Sequence, residues 1–445
     1  MFSFEVPVIC RGIISVVVGL TIGAFGQDVE KLKTIDDPTQ DSATATVQTI
    51  GALVARAESG DAVAQRQLGI AYIVGRAVQP DQQKGAGWLL KAAQAGEPFA
   101  QVHLGNLYRS GLGVQQSEAE AANWYRKSAD QGNAVAQNNL GYMYLYGKGG
   151  LPQSENEALK WFTKGAMQGL PAAEVNLASM YMRGNPNYSE AEKWFQKAAA
   201  QNSPKAYAWL GVMYEKGVGV EKNLTRAFSL FKTGAELGDR AAEAELGFMY
   251  LEGLGTKRNS ADALKWIQSA ALKGEPHAQL NLAYMYRLGR GVAQNFNEAV
   301  RWFCYAAENS MPEAQSQIAY FLFVARDYQR SAEWYARAAE KGFAGAQVNL
   351  GLLYSRGMGV PLDYIEALAL FTVAGGRGAP AAAENIKNLQ IIMTPNQLKR
   401  AQARAKELTA RIAEFETHTE SPKQGQCPLL KLQQQTIAVQ GTPAN

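Results

Sequence analysis

The sequence predicts an all-α solenoid of about nine helix-pair repeats. Two short motifs recur at regular intervals along most of the chain. Within each interval the apolar residues follow the spacing of amphipathic helices. The chain also has 445 residues, more than the ~250–300 over which a single core keeps growing. A repeat array lengthens its core without thickening it, so it accommodates such a length.

The first recurring motif is Leu-Gly-x-Met/Leu-Tyr or a close variant of it. Its successive copies are 36, 36, 37, 33, 36, 36, 36 and 32 residues apart. A fixed period of 20–50 residues is typical of solenoids and related arrays. The nine copies begin at Leu68, Leu104, Leu140, Leu177, Leu210, Leu246, Leu282, Ile318 and Leu350.

The second motif is a tryptophan followed by another large apolar residue, and it comes 16–21 residues after each copy of the first. Seven of the eight tryptophans obey this rule, and only Trp209 does not. A buried indole removes ~150–250 Å² from water, so we expect these tryptophans to form the core between helices. The first positions are Trp88, Trp124, Trp161, Trp194, Leu230, Trp266, Trp302, Trp334 and Leu370.

Each interval is predicted to hold two helices, called A and B here. In residues 135–169, helix A has apolar residues at helical spacing from Ala136 to Tyr144, and helix B ends at Gly169. Between them lie Gly147 and Gly149, which suit a helix C-cap with positive φ and a tight reversal. Repeats four and eight lack this double-glycine loop, so a tighter A–B turn is predicted there.

The N-terminal residues 1–26 resemble a secretory signal peptide. Arg11 precedes a 13-residue apolar run, which is shorter than the ~20 residues of a membrane span, and small residues precede Gln27. We therefore expect export to the periplasm or beyond the cell, with cleavage before Gln27 and no transmembrane span afterwards. The alternative is that the apolar run stays uncleaved and anchors the chain.

The rest of the chain divides into four predicted segments. Residues 27–45 are polar and are predicted to be a flexible linker, and residues 46–393 form the solenoid, starting with a lone helix up to Gly60. Thr394-Pro395 makes a helix start, and residues 394–416 have a single apolar stripe. They are predicted to cap the solenoid, with a partner-binding helix as the alternative. Residues 417–445 are predicted to be disordered.

The repeating unit closely resembles the Sel-one-like repeat, a relative of the tetratricopeptide repeat. Repeat two shows the pattern in Leu104-Gly105-Asn106-Leu107-Tyr108, then Gly111-Leu112-Gly113-Val114, then Trp124-Tyr125. The resemblance covers roughly residues 50–393. It implies antiparallel helix pairs stacked into a right-handed α/α superhelix, with the A helices on its concave face and protein–protein scaffolding as the general activity.

The function predicted from this resemblance is an adaptor that binds a partner protein or peptide along the concave face. The position before the helix-A leucine is Asn in four repeats, and in tetratricopeptide grooves the equivalent position can hold a peptide backbone or carboxylate. The position two residues after that leucine is polar or aromatic in four repeats. The predicted binding residues are Asn139, Asn176, Asn281 and Asn349, with Asn106, Tyr142, Phe248 and Tyr284.

Other function classes find little support in the sequence. A net charge of +4 is too small to indicate nucleic-acid binding. The three histidines, His103, His277 and His418, are widely separated, and no His-x-x-x-His or Cys-x-x-Cys pair occurs, so no metal site is predicted. Cys304 lies beside Trp302-Phe303 and is predicted to be core rather than a nucleophile. No catalytic residue or cofactor is predicted.

Two alternative functions remain open at this stage. One is an envelope-associated protein that binds or hydrolyses glycans, which would require carboxylates clustered on the concave face. The other is an adaptor of endoplasmic-reticulum quality control, although this chain has no membrane anchor beyond the N-terminal apolar run. Only two cysteines, Cys304 and Cys427, follow the signal peptide, so a framework of several disulfides is not possible.

Overall fold

The computed structural model describes residues 47–417 and Cys427. Within these residues the chain forms 21 helices and no strand, as predicted for an all-α fold. The predicted signal peptide, the linker and most of the tail lie outside the described residues. The described chain divides into two compact units, an N-terminal unit that ends at Lys222 and a C-terminal unit that starts at Asn223.

The N-terminal unit contains one leading helix, the A and B helices of repeats one to four, and helix A of repeat five. Each helix packs against the next one along the chain. Its helices are α1 (Val47–Glu58), α2 (Ala62–Val74), α3 (Gln82–Gln94), α4 (Pro98–Ser110), α5 (Glu118–Asp130), α6 (Ala134–Tyr146), α7 (Glu155–Met167), α8 (Pro171–Tyr181), α9 (Tyr188–Ala200) and α10 (Pro204–Lys216).

The C-terminal unit starts with helix B of repeat five and continues through repeat nine to two closing helices. Its helices are α11 (Leu224–Glu236), α12 (Arg240–Glu252), α13 (Ser260–Leu272), α14 (Pro276–Leu288), α15 (Phe296–Glu308), α16 (Pro312–Val324), α17 (Tyr328–Glu340), α18 (Ala344–Arg356), α19 (Tyr364–Gly376), α20 (Pro380–Ile392) and α21 (Pro395–Thr417).

Local sequence fixes where each helix begins and ends. All nine B helices start at a Ser, Asn or Asp whose side chain accepts a hydrogen bond from the first turn, as Ser117 and Asn295 do. Seven A helices end at a glycine with left-handed backbone, for example Gly111 at φ 75°. The predicted C-cap role of the first loop glycine is therefore confirmed.

The glycine of the Leu-Gly motif lets helices A and B of one repeat approach closely. A Cβ built on Gly105 would lie 2.6 Å from the Tyr125 ring, and one on Gly141 would lie 2.8 Å from the Phe162 ring. Both aromatic residues are buried, with exposed fractions of 1% and 0%. The large residue that follows the tryptophan thus fills the space left by the missing side chain.

The tryptophans themselves are less deeply buried than the sequence suggested. Four of them are buried, but Trp88, Trp194 and Trp266 are only half-buried. In repeats one to four, a lysine one turn later lies over the indole face, with its Nζ 3.9–4.2 Å from the ring centroid. The lysine stem therefore covers the exposed face of the indole.

The second loop glycine joins consecutive repeats. A Cβ on Gly113 would lie 2.2 Å from the backbone oxygen of Gln82, and one on Gly359 would lie equally close to the Tyr328 backbone. In both cases the contacted residue is the first residue of helix B in the preceding repeat. The Gly-x-Gly loop therefore serves two purposes, since it ends helix A and lets the backbones of adjacent repeats touch.

The C-terminal helix α21 packs on α19 and also contacts α17. Ala405 and Ile412 lie against Ala369 and Val373 of α19. The role of this helix as a cap or as a partner-binding element stays a prediction. None of the helices that the structure describes combines the length and the apolar character that a membrane span requires.

One covalent link was not predicted from the sequence. Cys304 of α15 and Cys427 form a disulfide across a sequence separation of 123 residues. The burial predicted for Cys304 is confirmed, because its side chain is fully buried. Two cysteines so far apart in sequence give no pairing signal, because only the fold brings them together.

Candidate functional site

The predicted binding residues lie on the A helices, and most of them are buried. Exposed fractions are 5% for Asn139, 8% for Asn176, 1% for Asn281 and 7% for Asn349. Helix A is buried on nearly every side because it packs against its own helix B, the preceding helix B and neighbouring A helices. In repeats three and four, the asparagines lie at the seam where two A helices meet.

In the N-terminal unit, the seam joins repeats three and four through paired amides. Asn176 on α8 donates from Nδ2 to Oδ1 of Asn138 on α6 at 2.7 Å. Asn138 is the residue before Asn139, which is the counterpart of Asn176 in repeat three. The hydrogen bond therefore joins two adjacent A helices at positions that differ by one residue within the repeat. A ligand that used these amides would have to compete with a hydrogen bond that already links two repeats.

Two of the predicted residues in this unit are accessible to a ligand. Asn106 is half-buried and accepts a hydrogen bond from the Tyr125 hydroxyl at 2.6 Å. Tyr142 is also half-buried, and its ring lies 4.6 Å from the ring of Tyr146. Burial raises the pKa of the Tyr146 hydroxyl, and the neighbouring Tyr142 adds to this rise. The Tyr146 hydroxyl therefore stays protonated at physiological pH.

In the C-terminal unit, the two aromatic candidates belong to the core. Phe248 and Tyr284 have exposed fractions of 3% and 1%. The Tyr284 ring packs edge to face against Phe303 at 5.0 Å. The Oδ1 atoms of Asn281 and Asn349 are buried and accept no hydrogen bond from the described residues. Packing in the core is therefore sufficient to explain why these positions carry the aromatic residues Phe248 and Tyr284.

A polar cluster in repeats one and two was missed by the sequence analysis. Arg66 on α2 is 4% exposed, lies 3.5 Å from Glu97 by its Nε, and stacks over the Phe99 ring. His103 on α4 occupies the position that is Asn in other repeats and is 1% exposed. Burial, followed by the charge of Arg66, lowers the pKa of His103 to about 3. His103 is therefore neutral at physiological pH.

A row of glutamines was also missed, although a periodic signal for it exists. In six repeats the fourth residue of helix A is Gln, and its Nε2 donates to the backbone carbonyl of the residue eight positions earlier at 3.0–3.3 Å. Each bond ties helix A to the end of the preceding helix B. The row comprises Gln65, Gln101, Gln137, Gln279, Gln315 and Gln347.

No group of three or more His, Cys, Asp or Glu side chains in the described part of the chain is placed to hold a metal ion. The buried carboxylates are engaged individually: Glu243 accepts from Ser269 and pairs with Lys273, and Glu174 accepts from Gln201. Cys304 is bonded in a disulfide and so is not a free thiol nucleophile in this structure. His418 lies outside the described residues.

Comparison with known proteins gives the same repeat boundaries as the helix pairs. A family model described as the Sel1 repeat matches residues 62–97, 98–133, 134–170, 171–203, 204–239, 240–275, 276–311, 312–343 and 344–378. These ranges start at the first residues of the nine A helices. A search of curated proteins finds no significant match.

Two solved structures illustrate the similarity. A Sel1 repeat protein from Oxalobacter formigenes is 34% identical, with a TM-score of 0.50, and the match covers 57% of this chain and 99% of that one. A protective antigen of uropathogenic Escherichia coli that displays an SLR fold is 27% identical over 89% of this chain and 99% of that one, with a TM-score of 0.49. Since the family model alone covers well over half of the sequence, the chain belongs to the Sel1 repeat family.

Proposed function

We propose that this protein is a non-catalytic scaffold that binds a segment of a partner protein on the A-helix face of its N-terminal unit. Repeats of this family commonly mediate protein–protein interactions. The observation on which the proposal rests is the pair of half-buried tyrosines on α6, Tyr142 and Tyr146, beside the seam between A helices. Tyrosine offers apolar contact area and a hydroxyl at a low entropic cost, as is common in binding surfaces.

The chemistry of this face fits an extended polypeptide better than a small molecule. Polar groups recur along the A helices at the repeat period, with Asn106 on α4 and Tyr142 at the same helical position of α6. A peptide backbone presents donors and acceptors in series, so a periodic row of amide and hydroxyl groups can hold it at several points. We expect a neutral or mildly polar segment, because this row offers amide and hydroxyl groups.

We further propose that the protein is exported and works in an oxidising compartment. Two independent features support this proposal, the signal-like residues 1–26 and the Cys304–Cys427 disulfide. Disulfides persist in the periplasm and outside the cell but are rare in the reducing cytosol. Cell fractionation with N-terminal sequencing tests the proposal. We expect a mature chain that begins at Gln27, and recovery of a cytosolic chain that begins at Met1 would exclude export.

The binding proposal is tested by a double variant, Tyr142→Ser with Tyr146→Ser, in the full chain. Partners are first captured from an envelope extract and identified by mass spectrometry, and the affinity of a purified partner is then measured. We expect the double variant to weaken binding at least tenfold, because two aromatic contacts are lost.

The matched control is Met167→Ser, which removes an apolar side chain that is 76% exposed at the end of α7 in the same unit. This variant should bind as the wild type does. Unchanged affinity of the tyrosine variant, with an unchanged far-UV circular dichroism spectrum, would place the partner elsewhere and overturn the proposal.

A further inference from the structure

Residues of α21 and Cys427 contact the B helices of the last three repeats. Arg404 on α21 pairs with Glu366 on α19, with its Nε 2.7 Å from Oε2. Further along α21, Arg411 lies 3.3 Å from Glu340 at the end of α17. The contacts thus pass from repeat nine to repeat eight as the sequence advances.

The same progression ends on repeat seven, where the contact is covalent. Cys427 is bonded to Cys304 on α15, and its backbone N–H donates to Oε1 of Glu308 one turn later at 3.0 Å. Both cysteines are buried, with exposed fractions of 0% for Cys304 and 3% for Cys427. The bond therefore fixes the end of this segment to a helix two repeats before the one on which α21 mainly packs.

A repeat array has particular need of such a link. Each repeat contacts mainly its neighbours, so the terminal repeats have only one stacked face and unfold first. The apolar face of α19, with Leu370 and Val373, is covered by α21. Detachment of α21 would expose this face. A cross-link over 123 residues restricts the open chain and so opposes detachment.

We propose that the Cys304–Cys427 disulfide is a redox-controlled clasp that ties Cys427 to repeat seven and so holds α21 over the B helices of repeats eight and nine. On closure, the two thiols lose two protons and pass two electrons to the disulfide of an oxidised thiol carrier, whose S–S bond breaks to a dithiol as the Cys304–Cys427 bond forms. A dithiol reductant reverses the exchange. Because both sulfurs are buried, the reductant reaches them only after local opening, so the ion pairs of α21 control the rate.

The first measurement is hydrogen exchange of the full chain, oxidised and after treatment with dithiothreitol. We expect amides of α19 to α21 to exchange at least tenfold faster after reduction, while amides of α5 to α7 do not change. The variant Cys427→Ser should show the fast exchange without reductant and should not respond to it, since Cys304 stays in place as a buried thiol. Exchange that is unaltered by reduction and by Cys427→Ser would overturn the proposal.

The second measurement is the rate at which dithiothreitol reduces the bond, followed by alkylation and peptide mapping of Cys304 and Cys427. The variant Arg404→Ala with Arg411→Ala should be reduced several-fold faster than the wild type. The matched control is Arg400→Ala, an exposed arginine on the same helix, which should leave the rate unchanged. Equal rates in all three proteins, or alkylation of both cysteines without reductant, would exclude the clasp.

Discussion

At the scale of single residues, the A helices contain buried polar side chains whose environments can be tested individually. His103 is buried in the seam with neither ring nitrogen hydrogen-bonded to a described residue. Burial and the nearby Arg66 lower its pKa to about 3. The unfolded chain has a histidine pKa near 6.5, so between these values it binds a proton that the folded chain does not.

The stability of the protein should therefore fall as the pH decreases below ~6.5 through His103. Relative to pH 7, the loss should reach roughly 3 kcal/mol by pH 4. His103→Leu and His103→Asn both remove the titrating group, and Asn is the residue at this position in other repeats. Both variants should lose this acid sensitivity in urea unfolding at pH 7 and pH 4. If the free energy of unfolding differed between wild type and variants by the same amount at pH 7 and pH 4, His103 would not be the source of the acid sensitivity.

A second buried group departs from the glutamine row. In repeat four the fourth residue of helix A is Glu174, which is 3% exposed, and burial raises the pKa of its carboxyl. An ionised carboxylate cannot donate to a carbonyl, as the glutamines of six other repeats do. The folded state therefore loses stability as the pH rises from the unfolded pKa through the raised value, because the buried carboxylate ionises.

We expect Glu174→Gln to stabilise the protein by about 1 kcal/mol at neutral pH, because it removes a buried charge and restores a donor. The gain should shrink in acid, where Glu174 is protonated. Glu243→Gln is the contrasting variant, since Glu243 accepts from Ser269 and pairs with Lys273 at 2.7 Å. Denaturant midpoints should move in opposite directions for the two variants. Midpoint shifts of the same sign for both variants would show that this position of the glutamine row does not require a hydrogen-bond donor.

The sequence predicted the positions of these residues better than their roles. The tryptophan motif was located correctly, yet the residue after it is the one buried beneath the motif glycine. Helical spacing cannot separate these two neighbours, because both lie near the same face. The asparagine row was located as well, but its burial depends on the packing of adjacent A helices. Such packing distances follow from the fold and are not visible in periodicity.

At the scale of elements, close approach of helices A and B within a repeat depends on the motif glycine. We expect Gly105→Ala to destabilise the N-terminal unit by about 1–3 kcal/mol, because the new Cβ would press on the buried Tyr125 ring. Gly87→Ala is the matched control, since Gly87 lies on α3 with no atom within 4 Å of a built Cβ. It should stabilise by about 0.5–1 kcal/mol. Thermal unfolding of both variants distinguishes packing from helix propensity.

If Gly105→Ala and Gly87→Ala changed the stability by the same amount, the motif glycine would not set the distance between helices A and B of a repeat. Three repeats already have alanine at the motif position, namely Ala178, Ala283 and Ala319. The elements themselves were predicted from sequence because the period repeats nine times, so each helix is supported by its counterparts. The disulfide occurs once, between residues 123 apart, and has no such support.

At the scale of the whole molecule, each unit is a series of interfaces between neighbours. Interior repeats are stacked on two sides, whereas α1, the first helix that the structure describes, packs mainly on α2 among the described helices. Its side chains Leu53 and Val54 are only half-buried against Leu68. In a one-dimensional array, a weakened interior repeat affects the helices on both sides of it, whereas a weakened terminal helix frays by itself.

We therefore expect the position of a core substitution in the array to determine how many helices it destabilises. Phe162→Ala, in α7 of interior repeat three, should cost about 3–5 kcal/mol and speed hydrogen exchange in the helices of repeats two to four. Leu53→Ala removes a half-buried side chain from the terminal helix, so it should cost less than about 1.5 kcal/mol and speed exchange in α1 and α2 alone. Mass-spectrometric hydrogen exchange resolves both patterns. If Leu53→Ala sped exchange throughout the N-terminal unit, that unit would unfold as one cooperative body and the nearest-neighbour description would be wrong.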